Sequence, residues 1–453
     1  VGLKTGSNAI LLGGRRLSIS DVLLLCEAET RIEIAPEALA RCRDARSVVI
    51  DHLNGGRPLY GVNLGVGAMK SFRFEGDAFV SLNETLVLAH TVGIGDALPP
   101  GVVRLALALR LNTLLVGRSG CSQEFIQAVA DLLAAGITPV VEGYGSVGCA
   151  DILANGQIGA ALAGHGDGVC KGRVAPMAEL LAEHKLEPHL MRAKDAISAI
   201  SSNVVSLAGA VFAVRAAVRS IDLMLTASVT AAAALAGAPD PWRAAALHGR
   251  GSTAAIGQWL IETHREASWP REDTVHDSLG IRFLADIYGP IYDALAALID
   301  EIEALTDFVD ENPIVTDGTI LASGGSHLLS LGLKLDGARL ALTHAARNGY
   351  NHCAQLIAGR SGGLPVNLAA PGSVMTGFGP MLKVAGALVT EAFSNAAPVS
   401  SLPLVMASGL EDEALHLTLA IDKLDRQSAL VETLAAVVAV MASQALEISG
   451  LSR

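Results

Sequence analysis

Several stretches of helix length carry almost no charge. That feature limits the chain to folds in which helices bury most of their circumference. The stretch 203–214 has no charged residue and is broken only by Arg215 and Arg219. Val103–Leu115 shows apolar residues at helical spacing, with Arg104 and Arg110 between them. The stretches 203–236, 292–308, 330–347 and 430–447 also read as long helices. Helices apolar on most faces need cover, inside a bundle or between subunits. Composition agrees, because apolar residues make up 51% and aromatic ones only 4%, with Ala and Leu abundant. Runs of β-branched and aromatic residues are short. The expected fold class is all-α, with a long central helix bundle and a loop-rich N-terminal region that carries the functional loops.

Charge removes whole classes of function. There are 33 Lys+Arg against 45 Asp+Glu, a net charge of −12. No cationic excess exists to neutralise phosphates, so nucleic acid is not an expected partner. With 51% apolar and 17% charged residues the chain is no disordered polyelectrolyte. The longest uncharged stretch, 361–382, contains three prolines and five glycines, which excludes it as a membrane helix. No membrane partner is expected. The six cysteines (Cys26, Cys42, Cys121, Cys149, Cys170, Cys353) form no Cys-x-x-Cys pair. They suit a reducing, cytoplasmic setting, and no basic-then-apolar leader opens the numbered chain. His184 and His189 lack a third ligand at a recognisable spacing, so no metal is expected.

Glycine and proline gather at 61–67, 93–101, 143–148, 323–325 and 361–380. Function tends to sit on such loops when a rigid scaffold holds them. There is no internal repeat and no clear linker. An approximate division is 1–200 as the loop-rich active-site domain and 201–453 as the helical-bundle domain.

Three segments stand out. Tyr60-Gly61-Val62-Asn63-Leu64-Gly65-Val66-Gly67 has three glycines in seven residues, a loop whose backbone approaches something closely. No Gly-Lys-Ser/Thr follows, so a phosphate cradle is poorly supported. The choice is between an ordinary turn with a buried Tyr and a mobile loop with Tyr60 as acid or base. His90 lies in Ala89-His90-Thr91-Val92-Gly93-Ile94-Gly95, and alone it reads equally as a structural histidine. Gly145-Ser146-Val147-Gly148-Cys149-Ala150-Asp151 precedes Gly164-His165-Gly166-Asp167, two small-residue clusters that could be simple helix caps.

Taken together and in order, these segments resemble the aromatic amino acid ammonia-lyase family, which includes histidine and phenylalanine ammonia-lyases. The family loop Tyr-Gly-x-Asn-Thr-Gly-Phe-Gly matches Tyr60 to Gly67. Its Ser-His-Ala-Ala-Gly-Val-Gly resembles Ala89 to Gly95. Its Thr-Pro-Val-Val and Gly-Ser-Val-Gly match Thr138 to Val141 and Gly145 to Gly148. Further matches are Asn312-Pro313, Ser323-Gly324-Gly325, Gly363-Leu364-Pro365, Gly377-Phe378-Gly379 and Glu411-Asp412. The resemblance implies a helical architecture shared with the fumarase and aspartase lyases. It also implies a homotetramer with shared active sites, acting on a small aromatic amino acid or betaine.

Family chemistry removes an amine from one carbon and a proton from its neighbour. The poor leaving group is handled by an electrophilic methylidene-imidazolone (MIO), formed from an internal Ala-Ser-Gly. Here Gly148 is followed by Cys149-Ala150-Asp151, one residue short, with no serine to dehydrate. Either no ring forms, or Gly148-Cys149-Ala150 cyclises with loss of hydrogen sulfide from Cys149. Other family positions are altered too. The asparagine that supports the ring falls at Ser201, with Ser202 and Asn203 beside it. The second catalytic tyrosine falls at Leu279, which can neither donate nor accept a proton. A phenylalanine becomes His327, and an amide becomes His276.

The retained residues still form a working subset. By resemblance, Arg282 clamps the substrate carboxylate in two parallel hydrogen bonds, Tyr60 takes the β-proton, and Glu411 holds an imidazole-like ring or the cationic amine. His90, His276 and His327 would contact the ring or a polar substituent, with core filling as the alternative for the latter two. Lys194 and Asn203 are further candidates to reach the substrate, Lys194 otherwise being part of an exposed pair with Asp195. A quaternary trimethylammonium keeps its charge and has no lone pair for an electrophile, so it departs without a ring. The pattern therefore resembles the ergothioneine-cleaving branch of the family (ergothionase), which acts on thiolated histidine betaine and yields thiourocanate. No cofactor is expected on this reading. The alternatives are an MIO-dependent ammonia-lyase or aminomutase on histidine or a related amino acid, with its ring built from Gly148-Cys149-Ala150, and a non-catalytic ligand-binding member of the family.

Overall fold

Helices dominate the computed structural model, as the patterning requires. It describes residues 9–27, 29–267, 269, 276–359, 363–370 and 372–450. The 361–380 loop read from the sequence therefore lies partly outside the described residues.

The long helices run Val204–Ala234, Leu284–Leu305, Leu329–Leu356 and Leu417–Ile448. Two begin well before the stretch that periodicity marks. Leu284–Leu305 carries Pro290 inside it. Leu417–Ile448 has Asp422, Lys423, Asp425 and Arg426 near its start, a charged face that hides the apolar one. Asp195–Ala234 and Leu417–Ile448 are long and apolar enough to cross a membrane, with 89% and 50% of their apolar windows buried in the protein. Burial accounts for the apolarity of the first.

The chain divides into two compact units, not into two consecutive halves. The first combines 1–211 with 300–332 and 399–419, and the second combines 212–299, 333–398 and 420–453. Long helices carry the chain from one unit to the other, so it crosses between them several times.

All nine strands found among the described residues belong to the first unit, and none exceeds four residues. Ala9–Leu12 pairs in parallel with Arg31–Ile34. Ile94–Ala97 lies antiparallel to Glu142–Tyr144. Ile137–Pro139, Asp167–Cys170 and Arg173–Pro176 form an antiparallel sheet, and Ile314–Thr316 pairs with Thr319–Leu321. These ladders pin the glycine-rich loops at their bases. The core helix Pro100–Leu114 is buried along nearly its whole length, Arg104 and Arg110 included. Arg104 is satisfied by the carbonyls of Glu27 (3.2 Å) and Leu133 (3.1 Å). Buried cations survive only with such partners.

In the second unit Trp242 is fully buried. Its indole donates to the carbonyl of Ile281 at 3.0 Å. Arg339 is also buried, paired with Asp336 and donating to the carbonyls of Asn395 and Ala397.

Candidate active site

A cavity of about 730 Å³ opens within the first unit. Its wall begins with the tyrosine loop. Asn63 ties the base of that loop, accepting from the Leu59 amide (2.6 Å) and donating to the Arg57 carbonyl (3.0 Å). Gly61 has φ +65°, and a Cβ there would meet Ile197 at 2.7 Å, so only glycine fits. Tyr60 borders the cavity, and its hydroxyl oxygen accepts from the Gly67 amide at 3.0 Å. That bond closes the loop and fixes the direction of the phenol. A Cβ on Gly67 would lie 4.0 Å from Glu411 Oε1, so the far end of the loop lies beside that carboxylate, which also borders the cavity.

His90 follows the helix Asp77–Leu88 and reaches the cavity. Its Nδ1 lies 2.7 Å from the Leu86 carbonyl, which can only accept. The proton therefore sits on Nδ1 in the neutral ring, and Nε2 is left as an acceptor. Gly156 permits this placement, since a Cβ there would be 2.6 Å from the His90 carbonyl oxygen.

The shortened turn is the most constrained part of the wall. Gly148, Ala150 and Asp151 all have positive φ (72°, 63° and 37°). For two non-glycine residues this costs about 1–3 kcal/mol each and persists only when the surroundings impose it. A Cβ on Gly148 would lie 2.4 Å from the Leu417 amide nitrogen. The Ala150 N–H donates to Asn203 Oδ1 (2.9 Å), and Asn203 Nδ2 donates to the Ser326 carbonyl (2.9 Å). The fully buried Asp151 carboxylate accepts from Ser146 Oγ (2.6 Å), Ser206 N (2.6 Å) and Ser206 Oγ (2.7 Å). Burial still pushes its pKa upward against those donors.

Cys149 projects from this turn and borders the cavity, its sulfur 4.0 Å from Ser326 Oγ. Burial raises its pKa, with Ser326 opposing and Glu411 and Asp151 adding to the rise. The thiol stays neutral at neutral pH.

An imidazolone built from three residues joins the third residue's nitrogen to the first residue's carbonyl carbon. Here those atoms belong to Ala150 and Gly148. The middle side chain carries sulfur in place of a hydroxyl, and the Ala150 N–H is committed to Asn203. These residues do not fit the ring as the family builds it.

Of the residues expected at the site, Tyr60, His90, Cys149, Ala150 and Glu411 border the cavity. Gly148 and Asp151 frame the turn behind them, and Asn203 supports it. Lys194 lies elsewhere. It is wholly buried, donates to Ser198 Oγ (3.3 Å) and pairs with Glu311, whose second oxygen takes Arg110 at 2.7 Å. Burial opposes the charge of Glu311, yet Lys194 and Arg110 hold its pKa down at about 2. The supposed exposed partner, Asp195, instead accepts from Ser122 and lies 3.0 Å from His189 Nε2. His327 is partly exposed, 4.0 Å from a Glu413 oxygen, and outside the cavity wall. His276, Leu279 and Arg282 belong to the second unit.

The cavity also takes in His52 and Lys70, which no motif marks, and Ser201 and Asn312, which the family resemblance does. His52 enters from the last turn of Pro36–Asn54, its Nε2 3.0 Å from the Pro58 carbonyl. Lys70 follows the short turn Gly67–Met69 and adds a cation. Ser201 and Asn312 meet at the floor, where the Asn312 amide donates to Ser201 Oγ at 3.3 Å. The Asn312-Pro313 pair was visible as a motif; the lining role of His52 and Lys70 had no signal in spacing.

This fold and this set of loops define a carbon–nitrogen lyase. A family model for aromatic amino acid lyases matches residues 17–452, and the chain belongs to that family. Histidine ammonia-lyase from Aromatoleum aromaticum is 30% identical over 456 residues, covering 97% of this chain and 85% of that one. The crystal structure of the ergothioneine-degrading ergothionase from Treponema denticola, in complex with desmethyl-ergothioneine sulfonic acid, is similar at a TM-score of 0.91. It is 25% identical and covers 98% of this chain and 90% of its own. Histidine ammonia-lyase from Trypanosoma cruzi shares the fold at a TM-score of 0.85 and 22% identity, covering 97% of this chain and 84% of its own.

Proposed function

We propose that the protein eliminates trimethylamine and a β-proton from an aromatic α-betaine, probed best by an imidazole-type substrate such as ergothioneine, and that it does so without MIO. The carrying observation is the Gly148–Asp151 turn. Its middle residue is Cys149, and its Ala150 nitrogen is held by Asn203. The likeness to ergothionase supports the same reading.

On this reading Tyr60 removes the β-proton and the Cβ–H electrons form the new double bond. The Cα–N bond breaks with its electrons going to nitrogen, which leaves as neutral trimethylamine. The products are the acrylate and the amine, with the abstracted proton passing from Tyr60 to solvent. The carboxylate is assigned to Arg282 by the family resemblance alone. His90 offers an acceptor to a ring N–H, and Glu411 lies beside the loop to hold the cationic group. Lys70 supplies the positive charge that a polar or anionic ring substituent needs. Catalysis then comes from positioned charge and a positioned base.

The experiment is incubation with histidine, its trimethyl betaine and the thiolated betaine, following a new conjugated absorbance and the amine released. The expected result is acrylate with trimethylamine from a betaine and no turnover of histidine. Ammonia from histidine, with neither betaine consumed, overturns the proposal. The second reading, an MIO-dependent enzyme on histidine or a related amino acid, is favoured by the 30% identity to a histidine ammonia-lyase.

We further propose a cytoplasmic homotetramer. Leu333 and Leu340, 57% and 59% exposed on Leu329–Leu356, and Val440, 51% exposed on Leu417–Ile448, support partner cover for these helices. Light scattering should find four chains of 46.6 kDa per particle, and a monomer at working concentration would contradict it.

A further inference from the structure

In the second unit four hydrogen bonds fasten the segment around Arg282. Asp277 Oδ2 accepts from the Ala238 amide at 2.7 Å. Ser278 Oγ donates to Gln355 Oε1 at 2.8 Å. The Gly280 carbonyl accepts from Asn348 Nδ2 at 3.0 Å, and the Ile281 carbonyl from Trp242 Nε1 at 3.0 Å. Each bond joins the segment to a different partner residue, so the short helix Leu279–Arg282 has little freedom to turn. Leu279 is left 57% exposed, and Arg282 is half-buried with its guanidinium carbon 5.7 Å from the Phe283 ring centroid.

Asn348 is the centre of this fastening. It is 2% exposed. While its amide nitrogen holds Gly280, its Oδ1 accepts from His352 Nε2 at 2.9 Å, with Ser228 Oγ and Tyr288 Oη both 3.5 Å away. Ser228 and Tyr288 bond each other at 2.9 Å. His352 is fully buried, and desolvation lowers its pKa to about 4. It is therefore neutral; because the Gly280 carbonyl can only accept, Asn348 Oδ1 faces His352, so Nε2 carries the proton, and Nδ1 finds no partner among the described residues. The amide is thus prevented from flipping, because a flipped Asn348 would set its nitrogen against a donor and its oxygen against the Gly280 carbonyl. Gly280 makes the approach possible, since a Cβ there would be 3.3 Å from Asn348 Nδ2.

We infer that Asn348 is a positioning residue for carboxylate recognition: held by His352, it sets the Gly280 carbonyl and so the direction in which Arg282 is presented. The inference rests on the reading of Arg282 as the carboxylate clamp. It does not depend on which amine leaves.

The test is steady-state kinetics of Asn348→Ala, Arg282→Ala and the double variant. The substrate is whichever of histidine and the betaines the wild type turns over, compared with its carboxamide. Asn348→Ala should raise KM about tenfold, one hydrogen bond's worth, with kcat within about threefold. It should also shrink the preference for carboxylate over carboxamide, and it should add nothing to the KM effect of Arg282→Ala. A drop in kcat with KM unchanged, or a full additional effect in the double variant, makes Asn348 merely structural and overturns the inference. If Arg282→Ala itself leaves KM and the carboxylate preference unchanged, the failure lies with the reading of Arg282, and the inference falls with it. Should Asn348→Ala fold poorly, Ser278→Ala cuts a neighbouring tether at a half-buried site and must show the same KM-weighted loss.

Discussion

At the residue scale the proposed chemistry rests on one phenol. Tyr60 is aimed by the Gly67 amide and stands close in sequence to the glycines that let its loop close. Tyr60→Phe keeps the ring and removes the base, so kcat should fall by about 10²–10⁴-fold with KM nearly unchanged. Stopped-flow or steady-state absorbance of the acrylate measures it, and a variant with wild-type kcat would remove Tyr60 from the chemistry. Cavity residues that could be read beforehand, among them Tyr60, His90, Cys149, Asn312 and Glu411, lie in short motifs. His52 and Lys70 could not be read so. Each is an ordinary surface-type residue brought to the cavity by a helix end or a single turn. Lys194 misled for a related reason. Its neighbours in sequence suggest exposure, while its partner Glu311 is 117 residues away and fully buried.

At the element scale the turn Gly148–Asp151 and the buried ion cluster do different work. Asn203 and Asp151 hold the turn in a left-handed conformation that local preference opposes. Beside the cavity, Glu311 gathers Lys194, Arg110, Ser198 and Ser119, and its neighbour Asn312 forms part of the floor. Glu311→Gln leaves two buried cations without a countercharge and should cost roughly 3–5 kcal/mol. The folded pKa of Glu311, about 2, lies below the ordinary glutamate value of 4.5. The pairing therefore contributes fully above pH 4.5 and is lost as pH falls toward 2. Denaturant unfolding across that window should show the extra acid slope in the wild type and its absence in Glu311→Gln; equal slopes would contradict the assignment. Such a cluster cannot be read from spacing, because its members come from four separated stretches. Helices were easier to read, and starts were lost where a charged face or an internal proline masks the pattern, as in Leu417–Ile448 and Leu284–Leu305.

At the scale of the whole molecule, the all-α class followed from patterning, while the division into units did not. Long helices pass the chain between units, so no linker or change of composition marks the boundary. The short strands were equally hidden, being three or four residues long. What the family provides and what this chain changes meet at one turn, and the chemistry follows from whether that turn remains open. The intact mass of a preparation actively releasing trimethylamine decides it. The account calls for full turnover by a chain of unmodified mass. A deficit equal to one hydrogen sulfide plus one water, in protein that is active, would contradict it.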